Sequence, residues 1–365
     1  MLVGVNNKFL SMTLIINKNK DKFFLALCKS SQHTFVLVGQ YEGFVVKQLF
    51  CRVAKCYKNN NNYLKDLYQL FSGGFQANIY DEGITRDHPN ERYMSYQAYD
   101  INWDQYLALI KSFSTLQRQT ANSEVESKQG NFQTINKNQK VEISAFIPLQ
   151  EHNELITLEY RSVKEYCVDF VDVEDIKESV SNYTMRNTCR STAIYLLEKT
   201  LNIQSDTRIP KSWIQEFNST TYLFKGSPSA QVSFYVLPPP PDMKSKNKTE
   251  KQKIMIKLYK RMEEISHSRV GMGYTELKKR TEDKFQAIKN LYQQLAATES
   301  MSLPQLIERI SDWKSSNKSS LSAHRNPYLW DYWFNRQCTT MKLVDKVEQQ
   351  LQSLNKEEAN KRIEL

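Results

Sequence analysis

Four consecutive prolines, Pro238–Pro241, divide this chain into two parts that cannot share one architecture. Proline has no backbone N–H and fixes φ near −65°. Such a run neither continues a sheet nor lies inside a helix, and it favours an extended polyproline conformation. The sequence changes character across it. Ahead of it, short β-branched and aromatic runs alternate with Gly-, Pro- and Asn-rich turns, the pattern of strands. Behind it the chain is rich in Lys and Gln, with apolar residues at helical spacing: Ile254, Leu258 and Met262; then Leu277, Phe285, Ile288, Leu291 and Leu295. Pro304 starts a third such stretch through Leu306, Ile307 and Ile310, and Thr339 to Leu354 forms a fourth. The expected architecture is an α+β domain over residues 1–241, an antiparallel sheet with packed helices. A basic helical domain over 242–365 follows, its short loops favouring a bundle or a long αα-hairpin.

Charge follows the same division. Residues 242–365 carry 24 Lys and Arg against 16 Asp and Glu, whereas residues 1–241 carry 26 against 24, so most of the net +10 belongs to the C-terminal third. The 365 residues, 40% of them hydrophobic, suffice for two cores. Six cysteines are scattered without a CxxC pair, and Cys51 and Cys56 lack partners at zinc spacing, so free thiols in a reducing compartment are expected. No cofactor or metal is expected, because Walker, HExxH and GxSxG patterns are absent and Gly271-Met272-Gly273 follows no strand. No apolar run approaches the ~18 residues of a membrane span, and Phe9–Ile16 lacks the flanks of a signal peptide.

Within the first part, Met12–Ile16 and Phe23–Cys28 read as strands. His33 opens the run His33-Thr34-Phe35-Val36-Leu37-Val38-Gly39, and Phe44–Val53 returns, so the two form a hairpin bracketed by Gly39 and Gly43. Tyr63–Phe71 reads as a short helix ending at Gly73-Gly74, Tyr93–Tyr99 as a strand, and Trp103–Leu116 as a helix with a stripe at 103, 106, 107, 110 and 113. Residues 117–140 read as a polar loop. Val141–Ile147 reads as a strand stopped by Pro148, Ser162–Phe170 as another, Asp172–Ser179 as helix or loop, and Gln231–Leu237 as a last strand before the prolines.

The most chemically specific stretch is Arg186-Asn187-Thr188-Cys189-Arg190-Ser191-Thr192. It places a cysteine where a helix begins. Asn187 or Thr188 can serve as N-cap, and Ile194, Leu197 and Leu201 recur on one face. The positive end of a helix favours a thiolate, and Arg186 and Arg190 add charge nearby. A thiolate is the nucleophilic form of cysteine. The same residue also fits a bland role, a small buried side chain at the start of a core helix. Of the five histidines, His33 is the candidate base because it stands at the mouth of a strand; alone, it equally fits a surface histidine at a strand end. His88 reads as loop, and His152, His267 and His324 as solvated.

Histidine at a strand start followed by cysteine at a helix start reverses the order of papain. This arrangement resembles the circularly permuted papain-like families related to NlpC-type peptidases and lecithin:retinol acyltransferase-like proteins. The segments around His33, Tyr96-Gln97-Ala98-Tyr99-Asp100-Ile101, Asn187-Thr188-Cys189-Arg190 and Phe234–Pro241 are similar to a group of Legionella type IV-secreted effectors, in scattered blocks over residues 10–241. The resemblance implies a permuted papain-like domain with Cys189 as nucleophile and His33 as general base, acting on a host amide or ester as a hydrolase or acyltransferase. It also implies a polar third residue that orients the histidine. Gln48 is the candidate if the hairpin closes tightly, and a slip of one residue would substitute Leu49. The polar C-terminal tail, with Glu357-Glu358 and Ile363, resembles type IV translocation signals, which implies delivery into a host cell; it equally fits a frayed helix end.

The alternative is a papain-like scaffold without catalysis, binding a host protein or membrane. The basic run Lys244, Lys246, Lys248, Lys251, Lys253, Lys257, Lys260 and Arg261 suits an anionic membrane surface, and equally a solvated helix face. No nucleic-acid module is present. The cluster Tyr328, Trp330, Tyr332, Trp333 and Phe334 reads as packing, or as an exposed docking patch.

Overall fold

A computed structural model of the chain describes residues 12–30, 33–57, 63–84, 93–121, 142–166, 172–203, 220–225, 227–228, 233–267, 275–323 and 338–363. The protein is a mixed α and β chain in two compact units, Met1–Val236 and Leu237–Leu365. The division falls just ahead of the prolines.

The first unit holds the strands β1 (Thr13–Asn17), β2 (Lys22–Ser30), β3 (His33–Glu42), β4 (Val45–Tyr57), β5 (Phe75–Asp81), β6 (Tyr93–Ile101), β7 (Ser144–His152), β8 (Leu155–Ser162), β9 (Asn182–Tyr183), β10 (Thr220–Lys225), β11 (Ser227–Pro228) and β12 (Val236–Leu237, whose last residue opens the second unit). The larger sheet runs β11-β10-β6-β2-β3-β4-β5-β9, with β12 also on β6; the smaller runs β1-β8-β7. Strands β2 and β3 are buried on both faces from Phe23 to Cys28 and from Thr34 to Gly39. That burial explains why they read as continuous apolar runs and not as alternating ones. The helices of this unit are α1 (Tyr63–Ser72), α2 (Trp103–Ala121), α3 (Glu174–Ser181) and α4 (Cys189–Leu201), and α4 packs on β2, β3 and β4.

The His33 hairpin forms as expected, antiparallel, with Phe35 opposite Ala54. Other expectations are corrected. The polar loop starts later than residue 117, since α2 continues to Ala121; residues 122–141 lie outside the described residues. Pro148 does not stop its strand. β7 passes through it with a register shift between Pro148 and Gln150, on the edge of its sheet, where no ladder N–H is required of a proline. The strand expected from Ser162 instead ends there: Leu155–Ser162 is β8, followed by one 3₁₀ turn at Val163–Glu165. Of the strand expected at 231–237, Val236–Leu237 is observed, and 231–232 lie outside the described residues.

The two blocks around Tyr96 and Phe234 meet in space. Their rings stack with centroids 4.5 Å apart, and the Tyr235 N–H donates to the Tyr96 hydroxyl at 2.7 Å. The core centres on Phe50 of β4. It is fully buried and touches Phe23 of β2, Tyr106 of α2 and Phe146 of β7, at centroid separations of 5.8, 5.2 and 5.7 Å. One ring thus joins both sheets and a helix.

In the second unit the described helices are α5 (Glu250–Ser266), α6 (Thr275–Ala297), α7 (Leu303–Ser316), α8 (Lys318–Ser322) and α9 (Thr339–Ile363). Thr249 and Gln252 form a reciprocal cap for α5, at 3.2 and 2.9 Å. α5 packs on α6 and α7 on α9, while Tyr292 of α6 donates its hydroxyl to Pro239 O at 2.8 Å and anchors the proline run. The tail is helical in α9 as far as Ile363. The aromatic cluster 328–334 and His324 lie outside the described residues. Among the described residues no helix is long and apolar enough to cross a membrane.

The position of Phe50 generates a stability prediction. Phe50→Ala should lower the unfolding free energy by about 3–5 kcal/mol, the range for removing a buried phenyl ring. The measurement is the urea midpoint of the tertiary signal at unchanged slope.

Candidate active site

Two strand ends and one helix start converge in the first unit. Thr188, in extended conformation with φ −100° and ψ 179°, precedes α4, and its carbonyl accepts the first helical bond from Thr192 N at 3.1 Å. Ser191 Oγ accepts from the Thr188 N–H at 2.6 Å. Cys189 is therefore the first residue of the helix, at its positive end. It is 6% exposed.

The Cys189 sulfur is hydrogen-bonded to the His33 ring. The Cys and His chosen from the sequence are thus brought together. Gln48 is not part of this group. β3 is ten residues long and its turn lies at the far end from His33, so Gln48 faces Gln40 across the ladder and donates to Leu49 O at 3.2 Å. The partner of His33 is Glu82, just past the end of β5: its Oε1 bonds His33 Nε2. Glu82 also accepts from Arg52 Nε at 2.7 Å and from the Tyr80 hydroxyl at 3.0 Å. Arg52 is 2% exposed and stands over the Phe35 ring, 4.0 Å from its centroid. Asp81 fixes the turn that presents Glu82, accepting from Gly83 N at 2.7 Å and Ser144 N at 3.0 Å.

The result is a chain of alternating charge: Arg52, Glu82, His33, Cys189. Burial alone would lower the basicity of His33, but the Glu82 charge and the hydrogen bonds to Cys189 and Glu82 raise its pKa well above the ordinary histidine value. Burial alone would raise the Glu82 carboxyl; His33 and Arg52 outweigh it and hold Glu82 well below the ordinary carboxylate range. Burial would also push the Cys189 thiol up. The hydrogen bond and charge of His33, with backbone N–H groups of Thr34 and Arg190, outweigh it and lower the thiol. The contrast with other described cysteines is sharp: burial pushes Cys28 and Cys51 well up and Cys56 up to about 12. Cys167 lies outside the described residues.

A phenol completes the surroundings of the thiol. Tyr183 of β9 hydrogen-bonds the Cys189 sulfur, and burial together with the Cys189 charge keeps its phenol protonated. Its ring packs on Tyr57, centroids 4.3 Å apart, and Tyr57 packs on Phe75 at 4.7 Å. β9 docks on β5 only because Gly74 has no side chain: a Cβ there would lie 2.5 Å from Asn182 Oδ1 and 2.7 Å from Tyr183 O, at φ +76°.

Sequence reasoning missed Glu82, Arg52 and Tyr183. A signal existed for the first two. Arg52 interrupts the otherwise apolar run Leu49–Ala54, and a buried guanidinium requires a buried carboxylate. The candidates at a strand end are Asp81 and Glu82. Of the other histidines, His152 is exposed at the end of β7, His267 is half-buried after α5, and His88 lies outside the described residues. No group of described residues has the make-up of a metal site.

The basic run is partly engaged within its own unit. Lys248 donates to Ser245 O, Lys251 to Thr298 O, Lys257 to Gln350 Oε1 at 2.6 Å and Arg261 to Thr340 Oγ1 at 3.0 Å, while Lys253 pairs with Glu250 at 2.6 Å. No protein-family model, curated protein or solved structure matches the chain.

The charge chain has a consequence for pH. The raised His33 pKa stabilises the fold fully below the ordinary value of 6.5, and that contribution is lost as pH rises through the raised folded value. The depressed Glu82 carboxyl contributes above its ordinary 4.5 and is lost as pH falls through its lowered value. Glu82→Gln removes the charge that raises His33. The titration midpoint of the His33 ring protons, followed by NMR, should drop toward the ordinary histidine range; an unmoved midpoint would mean Glu82 does not set it.

Proposed function

We propose that the first unit is a thiol catalyst of acyl transfer, a permuted papain-like domain in which Cys189 is the nucleophile, His33 the proton carrier and Glu82 the residue that orients and charges His33. The observation that supports this most is the unbroken hydrogen-bonded line from Glu82 through His33 to a cysteine at a helix start, the one shifted thiol whose pKa is lowered among the described residues. In the effector setting that the sequence resemblance implies, the substrate is a host amide or ester.

The direction of the pKa shifts sets the order of proton transfers. In this reading Cys189 reacts as its thiolate and His33 holds the proton, because the shifts run toward an acidified thiol and a protonated imidazole. The thiolate attacks the carbonyl carbon, forming a C–S bond and moving the carbonyl electron pair onto oxygen. Backbone N–H groups at the start of α4 are placed to stabilise that oxyanion. Collapse expels the amine or alcohol, which takes its proton from His33. Neutral His33 then draws a proton from water or another acceptor, which attacks the thioester and releases Cys189. Hydrolysis, deamidation and acyl transfer share these steps and differ only in leaving group and acceptor.

A second reading has its own observation. Cys189 is 6% exposed and hydrogen-bonded to Tyr183, as a plugged cleft would require, and this favours a non-catalytic scaffold that binds a host partner.

One experiment separates the two. An acyl-directed thiol probe should label Cys189 in the full chain at neutral pH and fail on Cys189→Ala. His33→Ala should slow labelling by about 10²–10⁴-fold, the usual worth of positioned acid–base catalysis. Labelling unaffected by Cys189→Ala, or no labelling of the native thiol, would leave the scaffold reading.

A further inference from the structure

Lys55 of β4 is 3% exposed, and its ammonium faces the segment that delivers the nucleophile. Nζ donates to Ser179 O at 2.7 Å, Asn182 O at 2.7 Å, Asn187 O at 3.2 Å and Asn187 Oδ1 at 2.9 Å. These acceptors come from the last turn of α3, from β9 and from the residue two before Cys189. The same Asn187 Oδ1 accepts from Ser191 Oγ at 3.3 Å and Thr192 Oγ1 at 3.4 Å, and Thr192 Oγ1 donates back to Ser179 O at 2.9 Å. The ammonium also stands 5.7 Å from the centroid of the Tyr183 ring. A single cation therefore ties the end of α3, β9 and the first turn of α4 to the central sheet. A surface turn would not need a buried charge for this. An ammonium is costly to bury and is retained where its three donors are all used.

We infer that Lys55 is the positioning residue of this site: by gripping Ser179, Asn182 and Asn187 on one side-chain nitrogen it fixes the Cys189 sulfur within reach of His33. The inference rests on the thiol-catalyst reading and adds to it a residue that touches neither substrate nor reacting atoms. Burial pulls the Lys55 ammonium down to about 7, and the Cys189 charge opposes that pull, so the two groups are electrostatically linked. The other titratable groups that interact with Cys189 are His33 on β3, Tyr57 on β4 and Tyr183 on β9, with Glu82 acting through His33.

The test follows the pH dependence of Cys189 alkylation by iodoacetamide in the full chain, read on the Cys189 peptide by mass spectrometry. It needs no substrate. The native protein should show a midpoint below the ~8.5 of an ordinary thiol. Lys55→Met should raise that midpoint by about one unit, a roughly tenfold loss of alkylation rate on the acid limb. A purely structural role would change the melting temperature and leave the midpoint in place. A native midpoint at the ordinary thiol value overturns the catalytic reading and this inference with it. A depressed native midpoint that Lys55→Met leaves unmoved overturns the inference alone. If Lys55→Met fails to fold, Asn187→Ala decides: it keeps the ammonium and removes one acceptor. An upward shift then supports the positioning role, and an unchanged midpoint overturns it.

Discussion

Everything at the candidate site depends on one buried ion pair, Arg52 with Glu82. Both side chains are 2% exposed, at 2.7 Å, in the interior of a nine-stranded sheet. Removing two charges from water costs several kcal/mol per ion, and their attraction offsets this only when every remaining polar atom is bonded. Glu82 meets that condition with Tyr80 and His33. His33 and Arg52 together hold the Glu82 carboxyl low, Glu82 in turn raises His33, and His33 lowers the Cys189 thiol. The acidity of the thiol is thus linked, through two other side chains, to a buried guanidinium.

The fold supplies the geometry by placing each member at the end of an element. His33 begins β3, Glu82 follows β5, and Cys189 begins α4. Ends are where backbone donors are unpaired, so the sulfur can accept from Thr34 and Arg190 N–H groups. Cys28 and Cys51 show the opposite case. They lie within strands, where the ladder has consumed the backbone donors, and burial then only raises their pKa. Position along an element, more than burial, separates the thiol whose pKa is lowered from those whose pKa is raised.

Much of this was legible in the sequence, and the reasons differ by element. The His33 hairpin and the Cys189 helix follow from local signals: a β-branched run with glycine stops, and a capping sequence before a helical stripe. β5 and β8 escaped because Phe75–Asp81 and Leu155–Ser162 interleave apolar with charged or amide residues. Pro148 misled because a proline ends a central strand but is tolerated on an edge, and edge or centre is a property of the sheet, not of the segment. The third polar residue escaped for a related reason. Gln48 was the nearest polar residue on the neighbouring strand, but a ladder fixes neighbours by distance from the turn. His33 sits at the open end of the hairpin, so its neighbours come from the far end of β4 and from β5. Only the register, with Phe35 opposite Ala54 and Val53 opposite Asp81, brings Glu82 there.

The same logic accounts for Lys55, which no local signal singles out. It stands three residues after Arg52 on β4, yet the two cations do different work. Arg52 neutralises a carboxylate, so its effect reaches the thiol through protonation states. Lys55 donates to carbonyl and amide oxygens of Ser179, Asn182 and Asn187, so it acts on the segment that leads into α4. One strand thus carries two cationic side chains that bear on the same site: Arg52, through Glu82 and His33, and Lys55, through the oxygens of the segment that leads into α4.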